Sequence, residues 1–186
     1  MPIRKWAIFI VVTGIIFIID QVSKAWVLAN LNLYQSQVIH PALLPVLRLT
    51  RSANTGVAFG MGEGNSLIFL LLSIAIIGFL LFLLYRSEPQ DSLQHIGLAM
   101  VIGGAFGNVV DRIQHGAVVD FVHIVIPNLT NSGGRAWISN VSNFADHFII
   151  IGVVLLLIDT YLQDRREKAL EAQQATLDSP IGVDGD

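Results

Sequence analysis

The sequence predicts an all-α membrane protein: a four-transmembrane-helix bundle with a small extracytoplasmic β-ribbon and an interfacial loop. Three observations lead there. The 186 residues are 53% hydrophobic and only 13% charged, with a mean hydropathy of +0.64, whereas soluble domains carry roughly 25% charged residues. Four stretches are long and apolar enough to cross a bilayer core, which takes about 20 residues in a helix. Short polar, glycine-containing segments separate them, one of which alternates in the manner of a strand.

The first span, about 6–28, is apolar to Ile19 and then carries Asp20, Gln21, Ser23 and Lys24. Arg4 and Lys5 precede it in the manner of a secretory leader. No small-residue cleavage pattern follows, so "DQVSK" is read as a retained helix end. The second, 66–85, is uncharged throughout, "SLIFLLLSIAIIGFLLFLLY". The third, about 93–113, is weaker and rich in glycine; its "GGAFG" spaces small residues so that helices approach closely. The fourth, 144–162, carries "FIIIGVVLLLI" behind a polar mouth. Together they make one membrane domain over 1–165, followed by a polar tail, 166–186, expected to be disordered and cytoplasmic.

Arg4 and Lys5, then Arg86, then Arg165, Arg166 and Lys168 flank the spans on one side, which positive-inside bias assigns to the cytoplasm. Both termini are then cytoplasmic and the two long loops face outward, although these contain Arg48, Arg51, Arg112 and Arg135. In the first loop "VLRLT", at Val46–Thr50, alternates as a short strand, and Gly56 and Gly60 suit turns. The second holds "AVVDFVHIVI" and then Trp137, an interfacial anchor. A net charge of −3 without a basic cluster argues against a nucleic-acid partner. The absence of cysteine removes disulfides, thiolate metal sites and thiol nucleophiles.

This topology sets four polar groups at one depth near the outer interface. They are Asp20 with Lys24, on one helix face at i, i+4; Asn108, Asp111 and Arg112 closing span three; Asp120 inside "AVVDFV"; and Asp146 in "NFADHF". A carboxylate beside lipid is costly unless paired, protonated or wetted. Interfacial anchoring competes as a role for Asp20 and Lys24, an ion pair for Asp111 and Arg112, and helix capping for Asp146. Asp120 is the hardest to dismiss, because its apolar neighbours draw it into a wall. Two carboxylates at one depth suggest aspartyl-protease chemistry, in which one shared proton splits the pair into an acid and a base. His123 and His147 beside them would allow a mixed oxygen and nitrogen metal site. No HExxH is present, however, and adjacent helical residues point roughly 100° apart. No GxSxG occurs. An ion or proton transporter using the same carboxylates is the main non-enzyme alternative, and a non-catalytic membrane scaffold a third.

Five ordered motifs, "DQVSK" at 20–24, "NTGVAFG" at 54–60, "GGAFGNVVDR" at 103–112, "GAVVDF" at 116–121 and "SNFAD" at 142–146, strongly resemble the bacterial lipoprotein signal peptidases (signal peptidase II). The resemblance covers about 1–162. It implies a four-span inner-membrane aspartyl endopeptidase that works near the periplasmic face. Such enzymes remove signal peptides from diacylglyceryl-modified prolipoproteins by cutting before the lipidated cysteine. It maps the catalytic pair onto Asp120 and Asp146. Supporting or substrate-positioning roles fall to Asn54, Gly56, Asn108, Arg112, Asn143, Asp20, Lys24, Asp111, Gly104 and Ala145. It further implies membrane lipid as a partner, inhibition by the cyclic peptide globomycin, a monomer, and no metal or other cofactor. The chain departs from the family pattern at Ser142, where phenylalanine is common, at His147, where serine is frequent, and at Ala53, where arginine usually precedes Asn54. It also carries an insertion around Pro127–Arg135.

Overall fold

The computed structural model describes residues 2–38, 47–56, 65–130, 136–138 and 140–177. Along the chain run α1 (Pro2–Asn30), β1 (Ser36–Val38), β2 (Leu47–Asn54), α2 (Ser66–Arg86), α3 (Ser92–His115), β3 (Val118–Thr130), β4 (Ala136–Ile138) and α4 (Phe144–Leu177). All four helices are long and apolar enough to span a bilayer, so this is a multi-pass membrane protein with a small sheet. His40, Gly60 and the chain after Leu177 lie outside the described residues. Residues 166–177 of the expected tail continue α4 as a helix of good helix formers, with Lys168 and Asp164 paired at 2.7 Å one turn apart.

Helix α3 is the hub: α1, α2 and α4 each pack on it. Glycines make the close approaches possible. A Cβ at Gly103 would press on Ile16 of α1 at 3.2 Å, and one at Gly107 would collide with the Asp20 carboxylate. On another face of the same helix, a Cβ at Gly104 would meet the carbonyl oxygen of Ala145 at 2.5 Å. Gly103 and Gly107 therefore admit α1, and Gly104 admits α4. Helix α2 is apolar on every side and exposes Leu67, Leu71, Phe79 and Phe82, a pattern that is stable only where lipid covers it. Its C-terminal carbonyls are held by the Lys5 ammonium, 2.8 Å from the oxygen of Tyr85 and 3.1 Å from that of Ser87.

The sheet is antiparallel in the order β1-β2-β3-β4. Of the strand expected at Val46–Thr50, Leu47–Thr50 is part of β2, and Val46 lies outside the described residues. The main partner of β2 is the apolar run "VVDFVHIVI" of the second loop, so the ribbon knits the two long loops together: Leu49 pairs Val122 and Ser52 pairs Asp120. Of the segment expected as an insertion, residues 127–130 lie in the far end of β3, which pairs with β4, Val125 opposite Ile138, and residues 131–135 lie outside the described residues.

A β-bulge in β3 aims the side chains. The N–H groups of Phe121 and Val122 both donate to the carbonyl of Ser142, at 2.8 and 2.7 Å. Two consecutive residues opposing one flips the alternation locally. Val119, Phe121 and Val122 all reach a cluster with Val27 and Leu31 of α1. Asp120, between them, projects from the opposite face.

Candidate active site

Helix α3 ends at Gly116, whose left-handed backbone (φ 71°) turns the chain into β3 within two residues. Asp120 thus lies beside the last turn of α3. Helix α4 starts next to it, at Asn143. The side chain of Asn143 accepts from the N–H of Asp146 at 2.9 Å, and its own N–H donates to Asp146 Oδ2 at 3.3 Å. In this reciprocal cap Asn143 is the capping residue of α4, and Asp146, for which capping competed as a role, answers it from the first turn. Asp146 therefore keeps its other oxygen for different partners.

Both carboxylates are fully dressed with N–H donors. Asp120 Oδ1 accepts from Asn143 Nδ2 at 2.6 Å and Oδ2 from Asn54 Nδ2 at 3.0 Å. Asp146 Oδ1 accepts from Asn108 Nδ2 at 3.0 Å. Asn143 thus touches both aspartates, through its amide on one side and its backbone on the other. Asp120 is 2% exposed, whereas Asp146 is partly open. Burial, and after it the charge of Asp146, push the Asp120 carboxyl up to about 7. Burial also lowers His123, with the Arg48 charge acting the same way.

Behind the pair stands a buried ionic trio. The Lys24 ammonium lies 2.7 Å from Asp20 and 2.8 Å from Asp111, both from α-helices and all three at most 2% exposed. Each carboxylate then grips a backbone that carries a site residue. Asp20 Oδ1 accepts from the N–H of Ala145 at 3.1 Å, fixing the start of α4; Asp111 Oδ2 accepts from that of Val119 at 3.0 Å, fixing β3. The ion pair expected between Asp111 and Arg112 is not what forms, since neighbours on a helix face different ways. Asp111 turns to Lys24, and Arg112 reaches the carbonyls of Asn108 at 3.4 Å and Gly56 at 3.2 Å. Gly56 is buried, and its N–H donates to Asn54 Oδ1 at 3.0 Å.

The structure brings together every site residue that the resemblance mapped. Asp120, Asp146, Asn54, Asn108 and Asn143 form the inner group, with Asp20, Lys24, Asp111, Arg112, Gly56, Gly104 and Ala145 framing it. Two contributors escaped sequence reasoning. Gln21 donates to Asp20 at 3.2 Å, Asp111 at 3.1 Å and the Gly107 carbonyl at 3.3 Å; its place inside "DQVSK" was the available signal. Ser142 contributes its backbone to the bulge. The ring nitrogen Nδ1 of His147 lies 2.6 Å from the Asn143 carbonyl, and that of His123 lies 2.9 Å from the Thr50 hydroxyl. Among the described residues, no three His, Asp or Glu side chains gather into a metal-ligating group.

The family model for signal peptidase (SPase) II matches residues 12–162. A lipoprotein signal peptidase of Serratia proteamaculans is 34% identical over 169 residues, covering 89% of this chain and 91% of the relative. One from Brucella ovis is 36% identical over 166 residues, covering 87% and 93%. A bacterial membrane enzyme structure obtained by the in meso method at 2.3 Å superposes with a TM-score of 0.71 at 27% identity, covering 86% of this chain and 90% of that one. A second, at 1.9 Å, gives 0.65 at 27% identity over 81% and 90%. With most of its length matched by the family model and by relatives of equal span, this chain belongs to the signal peptidase II family of membrane peptidases.

Proposed function

We propose that the chain is an aspartyl endopeptidase that removes signal peptides from diacylglyceryl-modified prolipoproteins by cutting before the lipidated cysteine. The observation that carries this reading is the shared use of Asn143 by Asp120 and Asp146, which holds two carboxylates distant in sequence around one side chain. A coupled pair with a single proton between them can activate water and polarise a carbonyl without a covalent intermediate.

The two environments divide the labour. Asp120, buried and holding its proton to about pH 7, is the acid that protonates the scissile carbonyl oxygen. Asp146, partly open, is the base that takes a proton from water. The resulting hydroxide adds to the carbonyl carbon. As the tetrahedral intermediate collapses, Asp146 returns that proton to the leaving cysteine amine and Asp120 regains its own from the gem-diol. Arg112 Nε, buried without a partner among the described residues, is a ready donor for a substrate carbonyl. Positive-inside bias puts the site at the periplasmic face of the inner membrane with both termini cytoplasmic. Substrate therefore approaches laterally, its acyl chains in lipid, and the chain works as a monomer sensitive to globomycin.

The test is to incubate the purified protein in lipid with a diacylated precursor, with and without a chelator, and weigh the products. Chelator-resistant cleavage immediately before the modified cysteine is expected. Chelator-sensitive cleavage would reject the aspartyl mechanism, and ion flux in liposomes without cleavage would favour the transporter.

A further inference from the structure

Lys24 touches neither Asp120 nor Asp146, yet one of its N–H groups is committed to the site. An ammonium has three donors and no acceptor. Here the ammonium pairs with Asp20 and Asp111 and, at 2.9 Å, donates to Asn108 Oδ1. The first two contacts balance charge. The third does something else, because a donor-only head can face only the oxygen of an amide. We infer that Lys24 is a positioning residue for the peptidase reaction, turning the Asn108 amide so that its NH2 faces Asp146. The inference rests on the aspartyl reading above and deepens it.

The same device recurs at the other two asparagines, with backbone donors in place of the ammonium. The Gly56 N–H holds Asn54 Oδ1 at 3.0 Å, leaving its NH2 for Asp120. The Asp146 N–H holds Asn143 Oδ1 at 2.9 Å, leaving its NH2 for Asp120 at 2.6 Å. That NH2 also reaches Asn108 Oδ1 at 3.2 Å, a second donor on the atom that Lys24 holds. A flipped Asn108 would set NH2 against ammonium on one side and oxygen against carboxylate on the other. All three amides thus present donors to the pair, which favours its ionised form. The charged groups around Asn108 are Asp20 and Lys24 of α1, Asp111 and Arg112 of α3, Asp120 of β3, and Asp146 with His147 of α4.

The paired substitution Lys24→Gln with Asp111→Asn removes the donor-only head. It keeps the trio's net charge, since one ammonium and two carboxylates become one carboxylate. Its pH–kcat profile is compared with those of Asp111→Asn and wild type on a diacylated precursor. The account expects kcat to fall about ten- to hundredfold, the worth of one charge-assisted hydrogen bond, with KM unchanged. It also expects the acidic limb to move to higher pH, because the ionised pair has lost a donor. A wild-type profile, or a loss in KM alone, overturns it. Should the paired variant melt below the assay temperature, Asn108→Asp decides. Lys24 still holds one oxygen there, but an acceptor now faces Asp146, so the acidic limb must move upward; an unmoved limb overturns the inference. Asp146→Asn is run alongside, and cleavage retained there would reject the aspartyl reading itself.

Discussion

At the scale of single residues, the cost of burying a carboxylate organises the site. Asp120 titrates near 7 where an unfolded chain would hold it near 3.8. A raised carboxyl favours the folded state fully below its unfolded value and loses that contribution as pH climbs through the folded one. Melting temperature in detergent should therefore fall between pH 4 and pH 7.5, and Asp120→Asn should flatten that part of the slope. A slope unchanged in the variant would place the titration elsewhere. The sequence showed the problem, since Val118, Val119, Phe121 and Val122 surround Asp120. It did not show the solution. The bulge against Ser142 and the donors from Asn54 and Asn143 come from segments that only the fold brings near. The Asp111–Arg112 pair was misread for the same reason: the partner of Asp111 sits on α1, far away along the chain.

Individual elements are joined by contacts too close to admit a side chain. A Cβ at Gly107 collides with Asp20, the residue that holds both Lys24 and the start of α4. Gly107→Ala should cost at least about 2 kcal/mol, through overpacking and a displaced buried ion, and should lose activity. Gly78→Ala in α2, where nothing lies within 4 Å, should be neutral or stabilising by up to about 1 kcal/mol. Equal effects on melting would mean that α1 and α3 are not in this register. The small-residue spacing of "GGAFG" revealed that α3 packs closely, and the run "VLRLT" revealed a strand. Pairing of β2 with β3 was not legible, because alternation marks a strand and does not name its partner.

Across the whole molecule, hydropathy and burial are inverted relative to a soluble protein. Helix α2 is the most uniformly apolar and the most exposed; α3 carries glycines, Asn108 and Asp111 because three helices shield it from lipid. This explains why α3 looked the weakest span. The orientation can be read directly, since the chain has no cysteine. In spheroplasts, Ser36→Cys on β1 should react with an impermeant maleimide, while Gln90→Cys, between α2 and α3, should react only after lysis. The reverse pattern would invert the proposed topology. Span number and the positions of the polar residues followed from composition and spacing. Their convergence needed the helix ends, the bulge and the ionic trio to be seen together.

The most direct test of the central claim is single-turnover cleavage of a diacylated precursor by Asp120→Asn and Asp146→Asn, each checked for folding by its melting curve. If the two carboxylates act as one acid–base unit, both folded variants leave the precursor intact. Cleavage at anything near the wild-type rate in either one would contradict the account.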